Sequence, residues 1–185
     1  MFNGQGMESD EALYARVKRG DMLAFDELYV RHATRLFGFL RAQLPTRADA
    51  EDVLHEAVLA TLESSEVVFD RGSFRTWLYR IARNLVLNRA RSRGRGEKAI
   101  VRLGASEEPA PGADDRLADG ELLRALDGAV ARLPAPLSDV YHLRTSGLSY
   151  EEIAIVLGIP LGTLKSRMSK MVNVLREELK PWTAP

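Results

Sequence analysis

The chain has 185 residues, 45% hydrophobic and 28% charged, an ordinary globular mixture sized for one large domain or two small ones. Its 26 Lys+Arg and 26 Asp+Glu cancel, and it has no cysteine, which excludes a disulfide framework, cysteine-ligated metal centres and thiol catalysis. No apolar run approaches the ~18 residues of a membrane span, and residues 1–10 lack the basic and apolar regions of a signal peptide, so the expectation is an intracellular protein.

Helical punctuation recurs along the chain, and no segment sustains the apolar/polar alternation of a strand. Ser9 can cap a first helix ending near Gly20. Asp21 can start a long one through Phe25, Leu28, Leu36, Phe37 and Leu40, stopped by Pro45. Thr46 followed by Asp49 resembles a capping box for a helix to about Glu63. Ser73 can cap a fourth helix, running to about Arg93. Gly104 to Asp115 is rich in Pro, Gly and acids with no apolar period, the signature of a linker. Beyond it, Asp119 to Leu133 is helical in pattern and is broken by Pro134 and Pro136. Leu137 to Ser146 follows, then a short helix opened by the Ser149-x-x-Glu152 box and closed by Gly158. Pro160 opens the last helix, which runs to about Lys180 and stops at Pro181. The expected fold is all-α: two small helical domains, 8–95 and 119–180, joined by a flexible linker over 96–118.

The zero net charge hides a segregation. Residues 1–70 carry 7 Lys/Arg against 13 Asp/Glu, residues 71–103 carry 10 against 1, residues 104–139 carry 3 against 8, and residues 140–185 carry 6 against 4. Nine of the ten cations in the middle block are Arg, the residue suited to bidentate phosphate contacts, so the block points to a polyanion. Gly94 and Gly96 form a G-x-G, but no strand precedes it and no third glycine follows, so it is not a nucleotide loop.

Two helix surfaces carry the chemistry. At about 100° per residue, Phe74, Leu78, Ile81 and Leu85 form a core stripe on the fourth helix, and Trp77, Arg80, Asn84, Asn88 and Arg91 gather on a neighbouring flank. Guanidinium groups neutralise phosphate, amides read base edges and indole stacks on an unpaired base. Residues 148–175 have helix-turn-helix grammar. Ile153, Ala154 and Leu157 face inward on the short helix, and Leu164, Met168, Met171 and Leu175 make the core stripe of the second. Opposite that stripe lie Ser166, Ser169, Lys170 and Asn173, with Thr163 and Lys165 beside them, a set suited to the major groove, while Arg167 flanks the stripe and suits a phosphate.

Three ordered motifs now resemble one family. Residues 49–56 (Asp-Ala-Glu-Asp-Val-Leu-His-Glu), 74–84 (Phe-Arg-Thr-Trp-Leu-Tyr-Arg-Ile-Ala-Arg-Asn) and 148–167, with its Gly-Thr-Leu-Lys-Ser-Arg, are similar to the core-binding, −10 and −35 segments of bacterial RNA polymerase sigma factors of the extracytoplasmic-function group. The resemblance spans about residues 20–178 and implies a sigma region 2 domain, a linker and a sigma region 4 domain. It implies that Lys165, Ser166 and Ser169 read −35 bases, with Thr163 beside them and Arg167 and Lys170 on the backbone. It implies that Asn84 and Asn88 read −10 bases, with Trp77, Arg80 and Arg91 on the same flank, and that Phe69 lines the pocket of a flipped base, on a loop one residue shorter than in some relatives. Asp49, Asp52, His55 and Glu56 fall in the segment that grips the coiled coil of the polymerase's largest subunit. His55 replaces the family's usual Gln and Val58 an expected aromatic; imidazole still donates and accepts hydrogen bonds.

The implied partners are polymerase core (coiled coil and flap), promoter DNA and an anti-sigma factor, in the cytoplasm or held at the inner membrane by that anti-sigma factor. Free, the two domains are expected to pack together or against the anti-sigma protein, hiding these surfaces. The alternative is a conventional helix-turn-helix regulator, which leaves the Trp–Asn–Arg flank unexplained. A carboxylate-bridged metal enzyme would need two E-x-x-H motifs, whereas the acidic helix offers one His and the wrong spacing. No cofactor, metal, catalytic residue or small-molecule substrate is expected.

Overall fold

The computed structural model describes residues 8–64, 69, 72–94 and 116–183, and all regular structure among them is α-helical. The order is α1 (Asp10–Val17), α2 (Met22–Arg41), α3 (Arg47–Glu63), α4 (Phe74–Gly94), α5 (Arg116–Ala131), α6 (Ala135–Thr145), α7 (Tyr150–Leu157) and α8 (Leu161–Thr183). The expected linker falls outside the described residues except at its end, where α5 begins at Arg116, ahead of the Asp119 start read from the sequence.

The capping signals act as the sequence predicts. Ser9 Oγ accepts from the Ala12 amide at 3.2 Å, Asp21 Oδ1 from Leu23 and Ala24 at 3.1 and 3.3 Å, and Thr46 Oγ1 from Asp49 at 3.0 Å. Each satisfies an amide that the helix itself leaves without a partner. The Asp49 carboxylate in turn accepts from the Thr46 hydroxyl at 2.7 Å. The Ser149 box is complete, with Glu152 N donating to Ser149 Oγ at 3.1 Å and Ser149 N to Glu152 Oε2 at 2.8 Å. α8 continues past the expected stop through Pro181, where the amide lost to proline belongs only to the last turn.

In the N-terminal unit, α2 buries Ala24, Leu28, His32, Leu36, Phe39 and Leu40 against α1, α3 and α4, while Phe25 and Phe37 are half-buried. In the C-terminal unit, α6, α7 and α8 enclose Leu143, Leu148, Ile153 and Leu164, and α5 lies along α8. Leu175, expected in the core stripe of α8, is half-buried, whereas Leu164, Met168 and Met171 are buried.

The two units pack on each other, and this corrects the core expected for α4. Phe74 and Leu78 are buried, but Ile81 and Leu85 are only half-buried, and Tyr79, Ala82 and Val86 are buried on a second face. α4 has apolar contacts on two sides because α7 lies against it. Arg75, Tyr79, Ala82 or Arg83, and Val86 recur at i, i+4, i+7 or i+8, and i+11, making a stripe that meets the C-terminal unit. Tyr79 is 1% exposed, its ring edge-on to Phe39 of α2 at 5.3 Å.

Candidate nucleic-acid and polymerase interfaces

The helix-turn-helix is set by its turn. Gly158 closes α7 with φ +65°, a left-handed conformation that a Cβ would strain, and the Ile159 amide reaches back to the Ala154 carbonyl at 3.1 Å. Pro160 supplies the carbonyl that receives the Leu164 amide at 3.0 Å and so starts α8. With Leu164, Met168 and Met171 buried beneath, helical period alone turns Thr163, Lys165, Ser166, Ser169 and Lys170 to solvent. Arg167 is half-buried at the edge. Ser166, Ser169, Lys170 and Asn173 line one shallow surface that ends at Glu177 and Glu178. The cationic face therefore stops about midway along α8.

On α4, Arg80, Asn84, Asn88 and Arg91 are exposed along the flank drawn from the sequence. Trp77 is half-buried and edge-on to Tyr14, Phe74 and Phe69, with ring centroids 5.4, 5.9 and 6.0 Å away. It is at once a packing residue and the border of the flank. Phe69 is also half-buried and packs on the same rings.

On α3, Asp52, His55 and Glu56 are exposed and Asp49 is half-buried. Leu59, 55% exposed, extends the set at i, i+3, i+4, i+7, an apolar member that charge reading missed. Glu56 also pairs with Arg89 of α4 at 3.1 Å.

A feature of the basic helix that sequence reading missed is a clasp between the units. Arg75 donates Nε to Glu152 Oε1 at 3.2 Å and Nη2 to Oε2 at 2.6 Å, with the Ser73 hydroxyl on Oε1 at 3.3 Å. Arg83 donates to Asp139 Oδ2 through Nη2 at 2.9 Å and Nε at 3.3 Å. These side chains are only 18–27% exposed. Burial pushes the Glu152 carboxyl up, but Arg75 and the hydrogen bonds from Ser149 and Ser73 overcome it and hold the group below its ordinary value. Nearby, Arg35, Gly38 and Phe39 of α2 face His142 and Thr145 of α6 and Ser146 just beyond it. Burial holds the His142 imidazole below its ordinary pKa despite the pull of Asp139. The units thus pack together, one of the two arrangements expected from the sequence, but the expected hiding of the candidate nucleic-acid faces is corrected. The flank of α4 and the polar face of α8 remain exposed, and the covered surface is the Arg75–Tyr79–Arg83 stripe.

Comparison with known proteins agrees with this geometry. Residues 28–96 match the Sigma-70 region 2 family and residues 123–171 the Sigma-70, region 4 family. The chain is 30% identical over 183 residues to the ECF RNA polymerase sigma-E factor of Haemophilus influenzae, covering 94% of this chain and 96% of that protein. It is 31% identical to the RNA polymerase sigma-H factor of Pseudomonas aeruginosa, covering 94% and 95%. Among solved structures, the sigma factor RpoE of Bartonella quintana in complex with the anti-sigma factor NepR superposes with a TM-score of 0.69 at 25% identity, covering 84% of this chain and 96% of that one. CnrH, solved with the cytosolic domain of CnrY, shares the fold with a TM-score of 0.69 at 23% identity, covering 94% and 99%. The chain belongs to the extracytoplasmic-function family of RNA polymerase sigma factors.

Proposed function

We infer that the chain docks on RNA polymerase core through Asp49, Asp52, His55 and Glu56 and gives it promoter specificity. In this reading Lys165, Ser166 and Ser169 contact −35 bases, with Thr163, Arg167 and Lys170 completing the interface, and the α4 flank with Phe69 opens and holds the −10 non-template strand. The observation that carries it is the exposure, on two separate helical units, of one aromatic–amide–guanidinium flank and one hydroxyl–cation face whose opposite sides are buried. Residues 8–95 and 119–180 act as the two working domains, with 96–118 as the tether. The chain has no catalytic role of its own; polymerase carries out the chemistry.

The closed arrangement is not the promoter-bound one. The elements lie about 25 base pairs apart, ~85 Å at 3.4 Å per step, whereas a compact chain of this length has a radius of gyration of roughly 16 Å. The clasp must therefore part when polymerase and promoter are engaged. By analogy with RpoE bound to NepR, an anti-sigma factor governs this chain, in the cytoplasm or from the inner membrane. No described helix is long and apolar enough to cross a membrane.

Run-off transcription with purified core tests the reading. Core plus this chain should initiate from specific promoters where neither does alone. Promoter-specific DNA binding by the isolated chain, with no retention on core, would instead identify a conventional helix-turn-helix regulator.

A further inference from the structure

α1 lies ahead of the region 2 match, which begins at residue 28. Glu11, Tyr14 and Lys18, the last just beyond α1, recur at i, i+3, i+7 and reach α3 and α4 at both ends of the connection that carries Phe69. Lys18 Nζ donates to the Leu62 and Ser64 carbonyls at 2.9 and 2.6 Å, completing the C-terminal end of α3. Tyr14 donates its hydroxyl to the Thr61 carbonyl at 2.8 Å, in the same last turn. Glu11 Oε1 accepts from the Phe74 amide at 2.8 Å, the first of α4. A cation thus meets the negative end of one helix and a carboxylate the positive end of the next. Gly72, just before α4, has φ +144°, and a Cβ there would meet Thr76 at 3.2 Å, so backbone geometry at that end is also restricted. Tyr14 is in addition the hub of the aromatic group, with its ring 5.8 Å from Phe69, 5.3 Å from Phe74 and 5.4 Å from Trp77.

We propose that α1 is a positioning clamp for the −10 pocket: Glu11, Tyr14 and Lys18 fix the spacing of the α3 and α4 ends and so the setting of Phe69 and Trp77 against an unstacked base. The proposal rests on the reading that Phe69 and Trp77 face the −10 strand. None of the three touches DNA in it; they act through the two aromatic side chains. Both Phe69 and Trp77 pack against Tyr14 and are half-buried, so each keeps part of its surface exposed, as a stacking role requires.

The test uses holoenzyme reconstituted with Lys18→Met, Glu11→Ala and Glu11→Gln. Lys18 is exposed, so its replacement removes two hydrogen bonds without opening the core, and Gln at position 11 keeps an acceptor for the Phe74 amide. The probe is a fluorescent non-template oligonucleotide spanning −10 of a promoter the wild type transcribes. Lys18→Met and Glu11→Ala should weaken its capture roughly tenfold, the scale of a charge-assisted hydrogen bond, while core retention and −35 duplex binding stay unchanged and Glu11→Gln regains most of the loss. The second readout needs no DNA: with Trp182→Phe, Trp77 is the single tryptophan, and its emission should shift in both clamp variants. Unchanged capture and unchanged Trp77 emission in folded Lys18→Met would overturn the clamp. Wild-type holoenzyme that transcribes but does not capture the oligonucleotide would overturn the −10 reading, and Trp77 emission would still decide the clamp. If Glu11→Ala melts early, Lys18→Met carries the decision.

Discussion

Lys165 and Ser166 stand on the first two turns of α8 with their polar heads in solvent and Leu164 buried between them and the core. Because the backbone beneath them is fixed, Lys165→Ala or Ser166→Ala should remove single interactions without moving the helix. Each substitution should cost about 1–3 kcal/mol with the matching base pair and little with a mismatched one. Run-off transcription across a set of −35 variants checks this, and identical output on every variant would count against both residues. His32 invites a different measurement. Burial holds its pKa below the ordinary value of 6.5, outweighing the pull of Asp10, whose Oδ2 lies 2.6 Å from Nε2. A depressed imidazole is protonated more readily in the unfolded chain. Its contribution is therefore intact above about pH 6.5 and declines as pH falls toward the folded value. His142 adds in the same direction. Urea unfolding midpoints should fall between pH 7.5 and pH 5.5, and His32→Gln should flatten that slope; an unchanged slope would remove His32 from the account.

α4 packs against four helices, α1, α2, α3 and α7, and still presents an exposed flank, and substitutions should separate these faces. Asn84→Ala, on the exposed flank, should impair open-complex formation on duplex promoters, and a template mismatched at −10 should relieve the melting cost without restoring the base recognition that the amide provided. Trp77→Ala should lower the melting temperature as well, because Trp77 packs on Tyr14, Phe74 and Phe69. Stacking on a base is worth about 1–3 kcal/mol, so its effect on strand capture should exceed that of stability alone. Permanganate reactivity of −10 thymines on both templates, beside a melting curve, distinguishes these outcomes. On α3, Asp52→Arg reverses a charge on an exposed face and should abolish retention on immobilised core with an unchanged circular dichroism spectrum. The elements themselves were legible because Ser9, Asp21, Thr46, Ser149 and Gly158 mark helix ends by local chemistry. The second buried face of α4 was not, since Tyr79, Ala82 and Val86 lie on a helix that packs against α7 as well as its own unit, and no local period announces a neighbour so distant in sequence. Arg75 and Arg83 read as two more cations of the basic block for the same reason.

Across the whole molecule, the clasp ties the two units together through two ion pairs. Glu152 is held below its ordinary value of 4.5, so its pairing with Arg75 persists at neutral pH and is lost only as pH falls through that depressed value. Acid in the physiological range should not open it; competing charge should. Asp139→Asn with Glu152→Gln removes both carboxylates, and Gln can still cap α7. With each part-exposed pair worth about 1 kcal/mol, closed-to-open ratios should fall roughly fivefold per pair. The chain has no cysteine, so single introduced thiols on α3 and α8 allow the distance to be followed by fluorescence transfer. No lengthening in the double variant would show that apolar packing around Tyr79 holds the units without help from charge.

Asp139 and Glu152 also neutralise Arg83 and Arg75, two cations of the basic block that would otherwise be free to meet phosphate. A chromosome offers millions of competing sites of no particular sequence, and a bare arginine helix would be soaked up by them before meeting polymerase. By supplying its own counterions, the closed chain should bind such DNA less tightly than an open one, with α3 still exposed. Arg75 and Arg83 should then become available only when the two units part.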